Sequence, residues 1–168
     1  IENKPELALM EYKTVNQIGQ FDEFVREIPF RRQIAELYKR YGQDEEALKE
    51  YLLLIQQEPD NADNYFNAGV LFEERNKGAK ALNYFRKAID LQPGHGLAYL
   101  HLGLLLYRAK RFPDAKQFLE KAMRFEPEHA EGYYYIGRIQ KEGKAYMEAL
   151  QSFERASKSP DFKIKSLI

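Results

Sequence analysis

The feature that most constrains this chain is a repeat of 34 residues. Residues of three kinds recur at that interval, and three independent markers with one period are not a coincidence. They are the prolines Pro59, Pro93 and Pro127, the glycines Gly69, Gly103 and Gly137, and the alanines Ala47, Ala81, Ala115 and Ala149. A fixed period of this length is typical of arrays built from one repeated structural unit, and it determines the fold class before any single residue is considered.

Each repeated unit contains two segments with the spacing of an amphipathic helix, roughly 13 residues each. Turn-forming residues separate the two segments, and a proline follows the second segment and ends it, because proline cannot continue a helix. The turn residues are Gly42, Asn76 to Gly78, Lys110 and Arg111 with Pro113, and Gly143. The sequence therefore predicts an all-α chain of helical hairpins.

The residue types inside the units resemble the tetratricopeptide repeat, whose pattern is a large aromatic, Leu-Gly and Tyr, followed by Ala, Phe and Pro. The second and third units match at Tyr65, Ala68, Gly69, Phe72, Ala81, Phe85 and Pro93, and at Tyr99, Leu102, Gly103, Leu106, Ala115, Leu119 and Pro127. Arg31 replaces the first aromatic of the first unit, and Gln140 replaces the later one of the fourth unit. The resemblance implies a right-handed solenoid of helix pairs with helical caps.

The register of the repeat divides the chain into an array and two ends. We expect four repeats over 28–160, divided as 28–61, 62–95, 96–129 and 130–160. Residues 1–27 do not fit the register and are predicted to form an N-terminal helical hairpin cap. Residues 161–168 are expected to begin a further or capping helix, with Phe162, Ile164, Leu167 and Ile168 on its apolar face. Since the chain begins at Ile1, we expect it to be a piece of a longer protein.

The composition argues against several classes of function. Lysine and arginine total 26 and balance 26 acidic residues, so a basic surface for nucleic acid is not expected. No apolar run reaches the roughly 18 residues that a membrane helix needs. The absence of cysteine rules out disulfides and thiolate sites, and it is compatible with either the cytoplasm or the periplasm.

No pattern of residues indicates catalysis, a metal or a cofactor. Of the three histidines, His95 and His129 occupy equivalent linkers, where we expect exposed polar side chains. His101 lies on the first helix of the third unit and is expected to face a groove. No pair of histidines stands four residues apart on a helix, and no nucleophile has an adjacent base. We therefore expect a protein that is not an enzyme.

A second face of the first helices is the candidate binding surface. At 100° per residue, Leu97, Leu100, His101, Leu104 and Arg108 lie roughly 150° from the core-facing residues of their helix. The resemblance implies that this face is the concave groove that holds a partner peptide. The candidate groove residues are Arg32, Phe66, Asn67, Val70, Leu97, Leu100, His101, Leu104, Arg108, Tyr134, Tyr135 and Arg138.

This groove predicts a non-enzymatic adaptor or assembly scaffold that binds another protein. The expected ligand is an amphipathic helix or apolar peptide, anchored by Val70, Leu97, Leu100, Leu104 and Tyr135, with charge pairing from Arg32, Arg108 and Arg138. Two alternatives remain open. In one, Phe66, Leu100 and Tyr134 pack between neighbouring first helices. In the other, the groove is filled by the N-terminal helix or by another copy, which would make the chain a self-assembling scaffold.

Overall fold

A computed structural model of the chain describes Met10, Thr14 and residues 28–163, and the last five residues and the rest of the predicted N-terminal cap lie outside it. Every element within 28–163 is an α-helix, and none of these residues is in a strand. The helices are α1 Ile28–Arg40, α2 Asp44–Gln57, α3 Ala62–Glu74, α4 Gly78–Leu91, α5 Gly96–Arg108, α6 Phe112–Phe125, α7 Ala130–Glu142, α8 Tyr146–Ala156 and α9 Pro160–Lys163.

The helices pack as consecutive pairs, and each pair also contacts the first helix of the next pair. The pairs are α1 with α2, α3 with α4, α5 with α6, and α7 with α8. One apolar core runs from α1 to α7, because a single pair cannot bury both faces of its helices alone. The prediction of an all-α solenoid of helix pairs is confirmed.

Small residues set the distance between the two helices of a pair. A Cβ atom added to Gly103 would lie 2.7 Å from Cγ of Leu119, so α5 can approach α6 this closely only because Gly103 has no side chain. On the second helices, Ala47, Ala81 and Ala115 are completely buried. The repeated glycines and alanines of the sequence therefore mark the points where the helices touch.

Each first helix ends in the same left-handed turn. The residues with positive φ are Gly42 at 65°, Asn76 at 57°, Lys110 at 58° and Lys144 at 62°, again one repeat apart. The next backbone N–H then donates to a carbonyl inside the helix, as from Lys77 to Phe72 at 2.8 Å, which satisfies an otherwise unpaired terminal group. Gly143, which the sequence placed at the fourth turn, lies in that turn directly before the left-handed residue Lys144.

We expect Ala115→Leu to lower the free energy of unfolding by about 1–3 kcal/mol, because three added carbons would overfill the contact between α5 and α6. The matched control is Ala79→Leu, the same exchange at an exposed position near the start of α4, which should change stability by less than about 0.5 kcal/mol. Urea unfolding of both variants measures the difference. Equal stability of the two variants would show that Ala115 does not lie at a tight crossing.

Candidate functional site: the groove along the first helices

The candidate groove residues lie on the four first helices α1, α3, α5 and α7, but they differ in how much surface they offer. Leu100 is 2% exposed and Leu104 is 5% exposed. Val70, Leu97 and Tyr135 are half-buried and pack against the core to which both leucines belong. Arg108 and Arg138 are exposed.

The burial of Leu100 and Leu104 corrects one expectation from the sequence. A partner, a second copy or the N-terminal helix was expected to cover them, because α5 is apolar nearly all round. Both leucines are buried within this chain and belong to its apolar core, so neither offers surface to a partner or a second copy, and the N-terminal helix lies outside the described residues. They form the floor of the groove, and the half-buried side chains around them are what a ligand would meet.

A buried carboxylate joins the second and third units. The side chain of Glu73, at the end of α3, is only 10% exposed. His101 Nδ1 lies 2.7 Å from Glu73 Oε2, and Arg108 Nη1 donates to Glu73 Oε1 at 2.6 Å. The His101 ring also contacts Phe66 and Phe85, with centroids 5.4 and 5.3 Å apart. His101 and Arg108 therefore hold adjacent units together.

The electrostatics of Glu73 follow from these contacts. Burial alone would raise the pKa of the carboxyl, because it disfavours the charged form. The hydrogen bond and charge of His101, together with the charge of Arg108, outweigh burial and lower the pKa of Glu73 below its ordinary value. The Glu73 carboxyl is therefore ionised and serves as a structural link between the two units, not as a proton donor.

Two further polar residues of the predicted groove are already engaged. Arg32 on α1 lies 2.5 Å from the carboxylate of Glu58, which also accepts hydrogen bonds from Asn61 and Asn64. Lys39 Nζ donates to Oδ1 of Asn67 at 3.0 Å. These contacts tie the first unit to the second, so the N-terminal half of the groove presents paired polar groups.

The C-terminal half of the groove carries an aromatic cluster. Tyr135 lies 4.8 Å from Tyr107 and 5.3 Å from Tyr134, measured between ring centroids. The Arg138 guanidinium lies over Tyr107 and Tyr134 at 5.6 and 6.0 Å and has no carboxylate partner within the described residues. Burial is the main cause that raises the pKa of Tyr135, so its hydroxyl stays protonated.

This cluster contains residues that the sequence analysis did not assign to the groove. Tyr107 was overlooked, although it directly precedes Arg108. A cavity of about 560 Å³ adjoins the cluster and is lined by Tyr134, Arg138, Lys141, Glu142, Lys144, Tyr146 and Phe153. Phe162 of α9 packs on Tyr134 with centroids 5.4 Å apart, so α9 lies against the end of this surface.

The linker histidines also differ from expectation. His95 was predicted to be exposed, but it is 8% exposed, and its Nδ1 accepts the backbone N–H of Ala98 at 3.2 Å to cap α5. Its ring lies 4.8 Å from Phe66. His129 is half-buried in the equivalent linker.

Across the described residues, no cluster of histidine and acidic side chains could hold a metal ion. No helix in this part of the chain is long and apolar enough to cross a membrane.

We expect Glu73→Gln to lower the free energy of unfolding at neutral pH by about 1–3 kcal/mol, because it removes a charged acceptor of two hydrogen bonds. Since folding lowers the pKa of Glu73, its carboxylate stabilises the fold above the unfolded pKa, and that contribution is lost as the pH falls through the lowered folded value. The difference between wild type and variant should therefore disappear well below the ordinary value of 4.5, as measured by urea unfolding at several pH values.

Glu74→Gln is the matched control for this prediction. Burial first, and then the charge of Asp44, raise the pKa of Glu74, so its charged form is disfavoured in the fold. Its removal should leave stability at neutral pH unchanged or slightly higher. A Glu73→Gln variant as stable as wild type at neutral pH, or a difference that does not shrink as the pH falls below 4.5, would contradict the assigned role.

Comparisons with known proteins agree with this architecture. Two family models described as "Tetratricopeptide repeat" match residues 33–95 and 73–139, which together make up more than half of the chain. "Crystal structure of MamA" superposes with a TM-score of 0.79 at 20% identity, covering 98% of this chain and 93% of that chain. "MamA 41-end from Desulfovibrio magneticus RS-1" gives 0.75 at 16% identity, with coverages of 93% and 85%.

A third solved structure is "Crystal structure of YrrB: a TPR protein with an unusual peptide-binding site", with a TM-score of 0.70 at 19% identity. It covers 95% of this chain and 80% of that chain. No curated protein sequence matches this chain significantly. The structural similarities show a shared fold, and the sequence matches show the family. The chain belongs to the tetratricopeptide repeat family.

Proposed function

We propose that this chain is a non-enzymatic protein-interaction module that binds an amphipathic helix or an apolar peptide segment in its groove. The family is generally used for protein interaction rather than for catalysis. The observation that carries the proposal is the C-terminal half of the groove, where half-buried apolar and aromatic side chains lie beside Arg138, a guanidinium without a carboxylate partner in the described part of the chain.

The anchors differ from those expected from the sequence. Leu97 and Val70 on adjacent first helices, with Tyr134 and Tyr135 on α7, are half-buried and retain apolar surface. An apolar segment laid across them would remove that surface from water, which is the main driving force for such binding. Leu100 and Leu104 are buried and belong to the core against which Leu97, Val70 and Tyr135 pack.

Charge pairing is assigned to fewer residues than the sequence indicated. Arg32 and Arg108 are held by Glu58 and Glu73, so a ligand carboxylate would have to displace an existing partner. Arg138 has no such competitor among the described residues. We therefore assign to it the pairing with an acidic residue at the edge of the bound segment.

Support of a general kind comes from the fold. Stacked helix pairs create an extended concave surface, and solenoids use that surface for binding. YrrB, which shares the fold, is described as a TPR protein with an unusual peptide-binding site. The alternative role, a scaffold whose groove is filled by its own terminal helix or by another copy, concerns the same surface and is decided by the same experiment.

The test is site-specific photo-crosslinking in the native host. Leu97 and Tyr135 are replaced one at a time by p-benzoylphenylalanine, and the matched control carries it at Gln117, an exposed position on the second helix α6. We expect both groove positions to crosslink a different protein after irradiation, and the control to give no such product. Mass spectrometry of the crosslinked peptides identifies the segment that occupies the groove.

The other products are equally informative. A crosslinked dimer of this chain would support the self-assembling scaffold, and a link to residues 1–27 of the same chain would support internal filling. Either result, or the same products from Gln117 as from the groove positions, would contradict the proposed role.

A further inference from the structure

One pair of repeat positions, with one member on the first helix of a unit and the other on its second helix, changes in residue type along the array. In the second unit it is Phe72 and Tyr84, whose ring centroids lie 4.9 Å apart. In the third unit it is Leu106, which is 2% exposed, and Phe118, which packs against the core. In the fourth unit it is Gln140 and Ser152. The fourth unit therefore has a shorter and more polar pair than the second and third units.

An open cavity of about 330 Å³ lies beside this pair, between α6, α7 and α8, and half of its lining residues are exposed. Ser152 is 9% exposed, and its hydroxyl donates to Oε1 of Gln140 at 2.7 Å. This contact leaves the amide hydrogens of Gln140 without an acceptor in the described part of the chain. The lining residues are Glu120, Met123, Arg124, Tyr133, Ile136, Gln140, Glu148, Gln151, Ser152 and Arg155.

This cavity is separate from the groove. At 100° per residue, Tyr133, Ile136 and Gln140 lie between 100° and 160° around α7 from the groove residues Tyr134 and Arg138. Second helices form two of its three walls, whereas the candidate groove residues all lie on first helices. A ligand in this cavity would therefore leave the groove free.

Among the described residues around the cavity, the carboxylates have an ion-pair partner and the two arginines do not. Glu120 and Glu148 lie 3.8 and 3.9 Å from the single ammonium group of Lys116. Arg124 and Arg155 have no carboxylate within ion-pairing distance in the described residues. The Arg155 guanidinium lies 5.3 Å from the centre of the Tyr133 ring, so an aromatic face supports it on one side. Counting Lys116, these five side chains carry one net positive charge.

We propose that this cavity is a second binding site, which takes the carboxylate of a glutamate or aspartate side chain from an acidic peptide segment. Guanidinium groups bind carboxylates through paired, parallel hydrogen bonds, and two are available here. The amides of Gln140 and Gln151 add neutral donors. One net positive charge matches a monoanion, and Glu120 and Glu148 disfavour a dianion such as a phosphate ester.

The first test is a titration of the full chain, labelled with ¹⁵N, followed by NMR. The probe is N-acetylglutamate N-methylamide, which presents one glutamate side chain in a peptide-like form. We expect saturable shifts of the backbone amides of Gln140, Gln151 and Ser152, and no shifts at Leu97 or His101 in the groove. The matched glutamine compound should give none, because it lacks the charge.

Filling the cavity provides the second test. Gln140→Leu together with Ser152→Phe installs the pair found at the equivalent positions of the third unit, so the chain should fold with an unchanged or higher melting temperature. Loss of the cavity should weaken binding of the glutamate probe by at least about tenfold. If this variant does not fold, Arg155→Gln decides the question, with Arg86→Gln, an exposed arginine outside the cavity, as its control. Arg155→Gln should weaken binding about tenfold and the control should not.

Four results would overturn the proposal. They are an absence of saturable shifts, equal shifts from the glutamine compound, unchanged affinity in the folded variant that fills the cavity, and tighter binding of the corresponding phosphoserine compound than of the glutamate probe. Shifts confined to Leu97 and His101 would likewise assign the carboxylate to the groove and not to this cavity.

Discussion

The contact between a glycine on the first helix and a large side chain on the second helix, made in the second, third and fourth units, is the constraint on which this structure depends. Gly103 meets Leu119, and the equivalent Gly69 and Gly137 meet the rings of Phe85 and Phe153 at the same distance. This contact fixes the spacing of each of these pairs. The next pair can then pack on it in the same way, which produces one apolar core from α1 to α7.

The two candidate binding surfaces arise from differences placed on this constant frame. On the groove side, engaged polar residues in the first units give way to the tyrosines around Arg138. On the outer side, the aromatic and aliphatic pairs of the middle units give way to Gln140 and Ser152, which lie beside a polar cavity. Because the backbone repeats, these differences arise from exchanges of residue type at a few register positions.

The sequence predicted the helix pairs and their crossings because these depend on residue types with local steric effects that recur at a fixed interval. It did not predict contacts between units. The phase of α5 showed that Leu104 faces away from its own pair, but not that neighbouring side chains already bury it. Likewise, the role of Glu73 depends on His101 and Arg108, which lie one unit away, and neither residue type marks such a contact. The departure at Gln140 was visible in the sequence, but the cavity beside it also depends on the packing of α6 against α7.

The most direct test of the central contact is Gly103→Ala, measured by urea unfolding in two backgrounds. Inside an ordinary helix this exchange stabilises by about 0.5–1 kcal/mol, because alanine favours the helix more than glycine does. Here the added Cβ would lie 2.7 Å from Leu119, so we predict that the exchange destabilises the wild-type chain. With Leu119→Ala already present, the obstacle is gone and the same exchange should stabilise. Stabilisation by Gly103→Ala in both backgrounds would contradict the account.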